Sequence, residues 1–458
     1  MTVKLAWAAA LLAAAGTTAF AQDDGRRAAE RDMLKRAVEI PTVKGRGQMP
    51  KMTAMLSAEL RKAGIRDIAI KKHGDTETLI ARWKAAGATR KPILLMAHMD
   101  VVEAKDSDWK NPPFEFREQG DWYLGRGVRD NKAGMIAMIA ALQRLQAASF
   151  KPSRDIVLLL TGDEETQQNG ARLASTEWKP LIDADFALNS DGGGAGMKPD
   201  GTVDAMGLQV AEKIYADFTF VATNRGGHSS GPRADNAIYQ LAGALKNLEE
   251  YRFTPHLDAV TRPGWEFDAK EDGGAFGAMV QAWLDEPTNM ERADAVEAVA
   301  PGSTRTRCVA TQLAAGHAPN ALPQRAEANV NCRIFPVETF AQTQATLQRL
   351  AGPDVKVTRV EDGGLASPPS PLRDDVVAAM TRSVQARWPK AVVLPAMSAG
   401  ATDGSYMRAA GIPTYGVSTL WSPVGQPSGV HGLDERVPVK AFHQEIDHWE
   451  RLLRDLAG

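Results

Sequence analysis

Cysteine is scarce in this chain: its 458 residues include only Cys308 and Cys332. Two thiols cannot build a zinc ribbon or a disulfide scaffold, so any bound metal must be held by other donors. In an oxidising compartment the two could pair once. Surplus charge is missing as well. The 54 Lys and Arg nearly balance the 56 Asp and Glu, for a net charge of −2. No basic field is left to attract a nucleic acid. Beyond the N-terminus, no apolar run approaches the roughly 20 residues of a membrane-spanning helix. What remains is a globular chain, 44% hydrophobic. It is too long for one comfortable core, and two domains are expected.

The first 21 residues, "MTVKLAWAAALLAAAGTTAFA", stand apart. Lys4 supplies a short positive end, Leu5 to Phe20 an apolar stretch, and Ala19-Phe20-Ala21 a small-x-small cleavage site. This is the pattern of a secretory signal. The mature chain is expected to start near Gln22, to cross the inner membrane into the periplasm, and to keep no membrane attachment.

Three apolar stretches share one design. "PILLMAHMDVV" ends around His98 and Asp100. "IVLLLTGDEE" runs into Asp163, Glu164 and Glu165, and "ADFALNSDGGG" ends on Asp191. Between the first two, Met135, Ile136, Met138, Ile139, Leu142 and Leu145 recur at helical spacing. Apolar strands alternating with amphipathic helices indicate an α/β fold with a mostly parallel sheet. Ligands of such sheets gather beyond the carboxyl ends of the strands, where all of these polar residues fall.

After Gly207 the pattern changes to strand, helix, two strands, helix and strand, which fits a small α+β, ferredoxin-like domain inserted into the first. The expected organisation is a signal peptide over 1–21, a first domain over 22–206 and 363–458, and an inserted domain over 207–362. "TRTRCVATQLAAG" and "RAEANVNCRIF" read as one hairpin turning near Asn320, which sets Cys308 and Cys332 opposite each other within disulfide range. Two free buried thiols are the alternative. Residues 251–300 read as a partly helical insertion.

Crowding Asp163, Glu164 and Glu165 at a strand end costs repulsion unless a cation offsets it or a proton stays on. Singly, each candidate has an ordinary reading. Asp130 is a helix N-cap, His98 a packed core histidine, His431 a loop residue. Together, His98, Asp100, Asp130, Glu164, Glu165, Asp191 and His431 form a histidine and carboxylate set suited to one or two zinc ions. Asp100, two residues after His98, is placed to hold the ring and fix its tautomer.

The segments "MAHMDVV", "GRGVRDNKAG", "TGDEET", "NSDGGG", "RGGHSSGP", "NALPQRAEANVNCR" and "SAGATDGSYMRAAGIPTYGV" occur in the order that resembles the M20 metallopeptidase family of carboxypeptidases, dipeptidases and aminoacylases. The resemblance implies that 22–206 and 363–458 form a zinc-hydrolase catalytic domain with two Zn²⁺ per subunit, and 207–362 a lid or dimerisation domain. Asp130 would bridge them, Glu165 and His431 would complete one, and His98 and Asp191 the other. It implies Glu164 as general base, Asp100 as the residue orienting His98, and His228 as an oxyanion donor reaching the partner subunit of a homodimer. Asn320 and Arg333 would hold a substrate carboxylate. The expected activity is that of a zinc exopeptidase acting on small peptides. An N-acyl-amino-acid amidohydrolase is the alternative, and a catalytically silent metal-binding module a third reading that the presence of Glu164 argues against.

Overall fold

The computed structural model describes residues 24–361 and 364–458. The signal sequence expected over 1–21 and the domain boundary expected at 362–363 lie outside them. The chain divides into two compact units: residues up to Met206 with Arg373–Val393 and Gly416–Gly458, and Gly207–Leu372 with Leu394–Tyr415. Among the described residues no helix is long and apolar enough to cross a membrane.

The first unit is organised by a sheet. Its strands lie in the order Asp67–His73, Thr76–Trp83, Ile156–Thr161, Ile93–His98, Phe186–Met197, followed by Thr414–Pro423, most of which belongs here. The centre is parallel: Ile93–His98 runs alongside both Ile156–Thr161 and Phe186–Met197, and the edge strands are antiparallel. Every residue of Ile93–His98 and of Ile156–Thr161 is buried. That is the burial of a central parallel strand, and it explains the unbroken apolar runs. Helix Lys132–Ala147 packs on Ile93–His98 and Phe186–Met197 and against helix Val439–Ala457. The expected α/β class is therefore observed, a large mostly parallel central sheet accompanied by smaller antiparallel ones.

Register positions the candidate residues. His98 pairs with Thr161, and Met96 pairs with Asn189. Two residues further along each strand put His98 level with Asp191 and leave Glu164 and Glu165 just past Thr161. One expectation is corrected here. The third apolar strand does not end on Asp191 but continues to Met197. It can continue because its neighbour Thr414–Pro423 extends the pairing. Gly194, at φ 92°, permits the close approach, since a Cβ there would meet the Leu420 carbonyl oxygen at 2.8 Å.

The second unit holds a four-stranded antiparallel sheet in the order Arg307–Ala315, Arg325–Ile334, Ile214–Thr223, Val355–Arg359. This is the ferredoxin-like strand order. One face alternates into a core of Ala216, Phe218, Phe220, Ala328, Val330 and Ile334, covered by Leu241, Leu248 and Leu347 of helices Ala237–Glu250 and Phe340–Ala351. Cys308 and Cys332 sit directly opposite each other and form a disulfide, their Cα atoms 4.0 Å apart. Residues 251–300 contain helices Arg262–Asp272, Ala275–Asp285 and Met290–Val299, whose own small core is Val280, Trp283, Ala293 and Val296.

Candidate metal centre

Asp163, Glu164 and Glu165 close the buried strand Ile156–Thr161, and the structure gives each a separate role. Asp163 turns back. Its two oxygens accept the N–H groups of Asn169 (2.8 Å) and Gly170 (3.0 Å), closing the first turn of helix Asn169–Ser175. Burial pushes its carboxyl above the usual range, against the pull of those N–H groups. Glu164 Oε1 accepts from Gln168 Nε2 at 2.9 Å. Glu165 Oε1 lies 3.0 Å from His431 Nε2.

Asp100 ties the last two together. Its carboxylate straddles two amides, accepting from Glu164 N at 3.1 Å and Glu165 N at 3.0 Å. The ring of His98 instead meets the main chain of Asp100, Nδ1 lying 3.0 Å from its carbonyl oxygen and 3.6 Å from its carboxylate. With Nδ1–H donated to that carbonyl, Nε2 is left to face the site.

Asp130 sits at the centre. Its Oδ1 is 3.0 Å from His98 Nε2 and its Oδ2 is 3.3 Å from His431 Nε2. The expected N-cap role is corrected, because helix Lys132–Ala147 has Asn131 at its N-cap, one residue later. Asp130 thus leaves the helix end and turns its carboxylate toward both histidines. Asp191 Oδ2 completes one side at 3.9 Å from His98 Nε2.

Among the described residues three donor groups have ligand atoms within 4.8 Å of one another: His98–Asp130–Asp191, Asp130–Glu165–His431 and His98–Glu164–Glu165. The first two share Asp130. Imidazole and carboxylate donors in this number suit two divalent cations of the zinc type, and no thiolate is required. Without a cation the carboxylates hold protons on the imidazoles. Hydrogen bonds to Asp130 and Glu165 push His431 up to about 10. Burial opposes charge on His98, yet Asp100, Asp130 and Asp191 outweigh it and hold its pKa well above the ordinary value. Asp130 moves the other way: burial is outweighed by His431 and His98, and its pKa is lowered.

In the second unit His228 lies on the short strand Gly227–His228, paired with Ala321–Leu322, and Ser229 N donates to Asn320 O at 3.0 Å. His228 and Asn320 therefore share one end of that unit, near Arg325, where Gly316 N reaches Arg325 O. Arg333 is at the far end of the strand Arg325–Ile334, its guanidinium 4.8 Å over the Tyr215 ring. At about 3.3 Å per residue the strand puts roughly 26 Å between Arg325 and Arg333. One chain by itself does not bring Asn320 and Arg333 to the same carboxylate.

Sequence reasoning passed over Glu435 and Arg126, a buried pair at 2.8 Å whose partners include the backbone before Asp130. The available signal was local: Glu435 follows His431 by four positions in "HGLDERV".

A model of peptidase family M20/M25/M40 matches residues 94–455. The chain belongs to that family. As an M20 hydrolase it is 26% identical over 386 residues to a probable carboxypeptidase S-like 2 of Dictyostelium discoideum, covering 82% of this chain and 74% of that one. It is 26% identical over 448 residues to the N-fatty-acyl-amino acid synthase/hydrolase PM20D1 of Mus musculus, covering 92% of this chain and 86% of that one. Among solved structures it shares the M20 fold with a metallo-carboxypeptidase of Sulfolobus solfataricus, at a TM-score of 0.68 and 20% identity over 93% of this chain and 98% of that one. A dinuclear metal binding M20 peptidase of Bacillus subtilis matches with a TM-score of 0.61 at 15% identity, over 94% of this chain and 98% of that one.

Proposed function

We propose that this M20 protein is an exopeptidase of the carboxypeptidase or dipeptidase type, hydrolysing an amide bond next to a free C-terminal carboxylate. The observation that carries the reading is the pair of donor groups sharing Asp130 with Glu164 beside them. Asp130 would bridge two zinc ions, with Glu165 and His431 on one and His98 and Asp191 on the other. Zinc bound there would polarise the scissile carbonyl and lower the pKa of the attacking water.

The rest is done by the chain. Glu164, pinned through its own N–H to Asp100 and through Oε1 to Gln168, takes a proton from the attacking water. The water oxygen bonds to the carbonyl carbon, the C–N bond breaks, and Glu164 delivers the proton to the departing amine. His228 donates a hydrogen bond to the oxyanion, and Arg333 reads the substrate carboxylate with its planar fork. The opposite placement of His228 with Asn320 and of Arg333 supports a homodimer in which one chain lends the first two to the other's site. The N-terminal signal pattern supports a periplasmic enzyme.

A second reading has its own support. The similarity to N-fatty-acyl-amino acid synthase/hydrolases covers 92% of the chain, and an N-acyl amino acid presents the same amide and carboxylate as a peptide end. Incubating the metal-loaded enzyme with a panel of dipeptides and N-acyl amino acids, and identifying the released products by mass spectrometry, separates the two. Release of an amino acid from neither group would sink both.

A further inference from the structure

His431 lies on an exposed turn, with its side chain 53% accessible and its backbone in the left-handed region at φ 58°. Asp130, its neighbour across the site, belongs to a different loop. A metal ligand in so exposed a turn loses affinity if the turn is free to move, because ordering it on binding costs conformational entropy. Something must tie the two loops together, and the structure shows one buried device that does.

Glu435 is fully buried. Its Oε2 accepts from Arg126 Nη1 and from Gly127 N, both at 2.8 Å. Its Oε1 accepts from Arg129 N at 2.9 Å and from Asp130 N at 3.0 Å. One carboxylate thus fixes the backbone of the loop from Gly127 to Asp130. Its guanidinium partner holds the other loop. Arg126 Nη2 donates to Gly432 O at 2.9 Å, the residue after His431, while its guanidinium lies 5.2 Å over the Trp109 ring. The His431 turn is closed on itself by Gly432 N to Gly429 O and by Arg436 N to Ser428 O, both 2.8 Å. Gly429 makes that closure possible: a Cβ there would meet Leu433 O at 2.6 Å.

We propose that Glu435 and Arg126 are positioning residues that hold the His431 turn against the Asp130 loop, and so set the affinity of the metal shared by Asp130, Glu165 and His431. This rests on the two-metal reading above. The competing account is that the pair only fills buried hydrogen-bonding positions. It would then affect folding stability without discriminating between the two metals.

The test counts metals rather than turnover. Wild type, Glu435→Gln, Arg126→Lys and, as reference, His431→Ala are loaded with zinc and dialysed against buffers of decreasing free zinc set by a chelator. Bound metal is measured by elemental analysis, and the melting temperature of each metal-free form is recorded. The expected result is that Glu435→Gln weakens the binding step that His431→Ala removes by about ten- to a hundredfold, the usual effect of losing a residue that orients metal ligands. Arg126→Lys, which keeps the charge but loses the fork reaching Gly432, shifts the same step by less. The step belonging to His98 and Asp191 moves less in both variants. If both steps weaken equally, or neither moves, the proposal is overturned and the pair is only structural. Should Glu435→Gln fail to fold, Arg126→Lys decides by the same two readings. A wild-type chain that binds no pair of metals would overturn the two-metal reading and this inference together. A wild type holding two metals, beside variants that behave identically, would overturn this inference alone.

Discussion

His431 and Glu165, 266 positions apart in the chain, meet with Nε2 and Oε1 at 3.0 Å. Glu164, the adjacent carboxylate, is instead engaged by Gln168. Neighbouring glutamates therefore have different partners, and their variants should differ. Glu164→Gln is expected to retain both metals and lower kcat by several orders of magnitude, because proton transfer is lost. Glu165→Gln is expected to lose metal at one position. Elemental analysis beside steady-state kinetics checks this, and two variants equally metal-replete and equally active would refute the division of roles.

Metal uptake should release protons. In the metal-free chain His431 is raised from 6.5 to about 10 by Asp130 and Glu165, and His98 is raised too. His431 is then protonated at pH 7 and must give up a proton to bind a cation, and the upward shift of His98 acts in the same direction. Apparent affinity should rise with pH up to about 10, and calorimetric titration in buffers of different ionisation heat should show proton release. Stability of the metal-free chain follows the opposite trend. A folded-state pKa above the unfolded one stabilises fully below pH 6.5 and is lost as pH rises through about 10. The denaturation midpoint should fall across that window in the wild type, and less in His431→Ala.

Mixing two inactive variants should restore activity. If His228 serves the site of a partner subunit, a dimer of Glu164→Gln with His228→Ala contains one site in which both groups are intact. Subunit exchange is followed by native mass spectrometry and activity by product release. Exchange without rescue would mean that His228 acts within its own chain or not at all.

Arg333→Ala should lower kcat/KM by roughly ten- to over a hundredfold, since a hydrogen bond to a charged group is worth about 1.5–3 kcal/mol. Arg333→Lys should recover only part of the loss, lacking the fork. Amidating the substrate's C-terminus should hurt the wild type far more than Arg333→Ala. Equal discrimination by the two enzymes would show that Arg333 does not read the carboxylate.

The sequence by itself determined the local features. Buried strands were legible because residues covered on both faces must be apolar without interruption, and their abrupt ends at His98 and at Asp163 marked the sheet edge where ligands gather. The ferredoxin-like second unit was legible from period-two and helical patterns, and the opposition of Cys308 and Cys332 from counting residues to a turn. Tertiary structure decided what depends on chain segments far apart in sequence. The strand through Asp191 continues to Met197, with Thr414–Pro423 lying beside it. Asn320 and Arg333, close in sequence, are held apart because an extended strand adds about 3.3 Å with every residue. Glu435 was passed over, since charged side chains are seldom buried without partners. Its partners, Arg126 and the amides of Gly127, Arg129 and Asp130, come from some 300 positions away. No local pattern encodes that meeting, because it is set by the order in which the sheet stacks its strands and by the loops left at its edge.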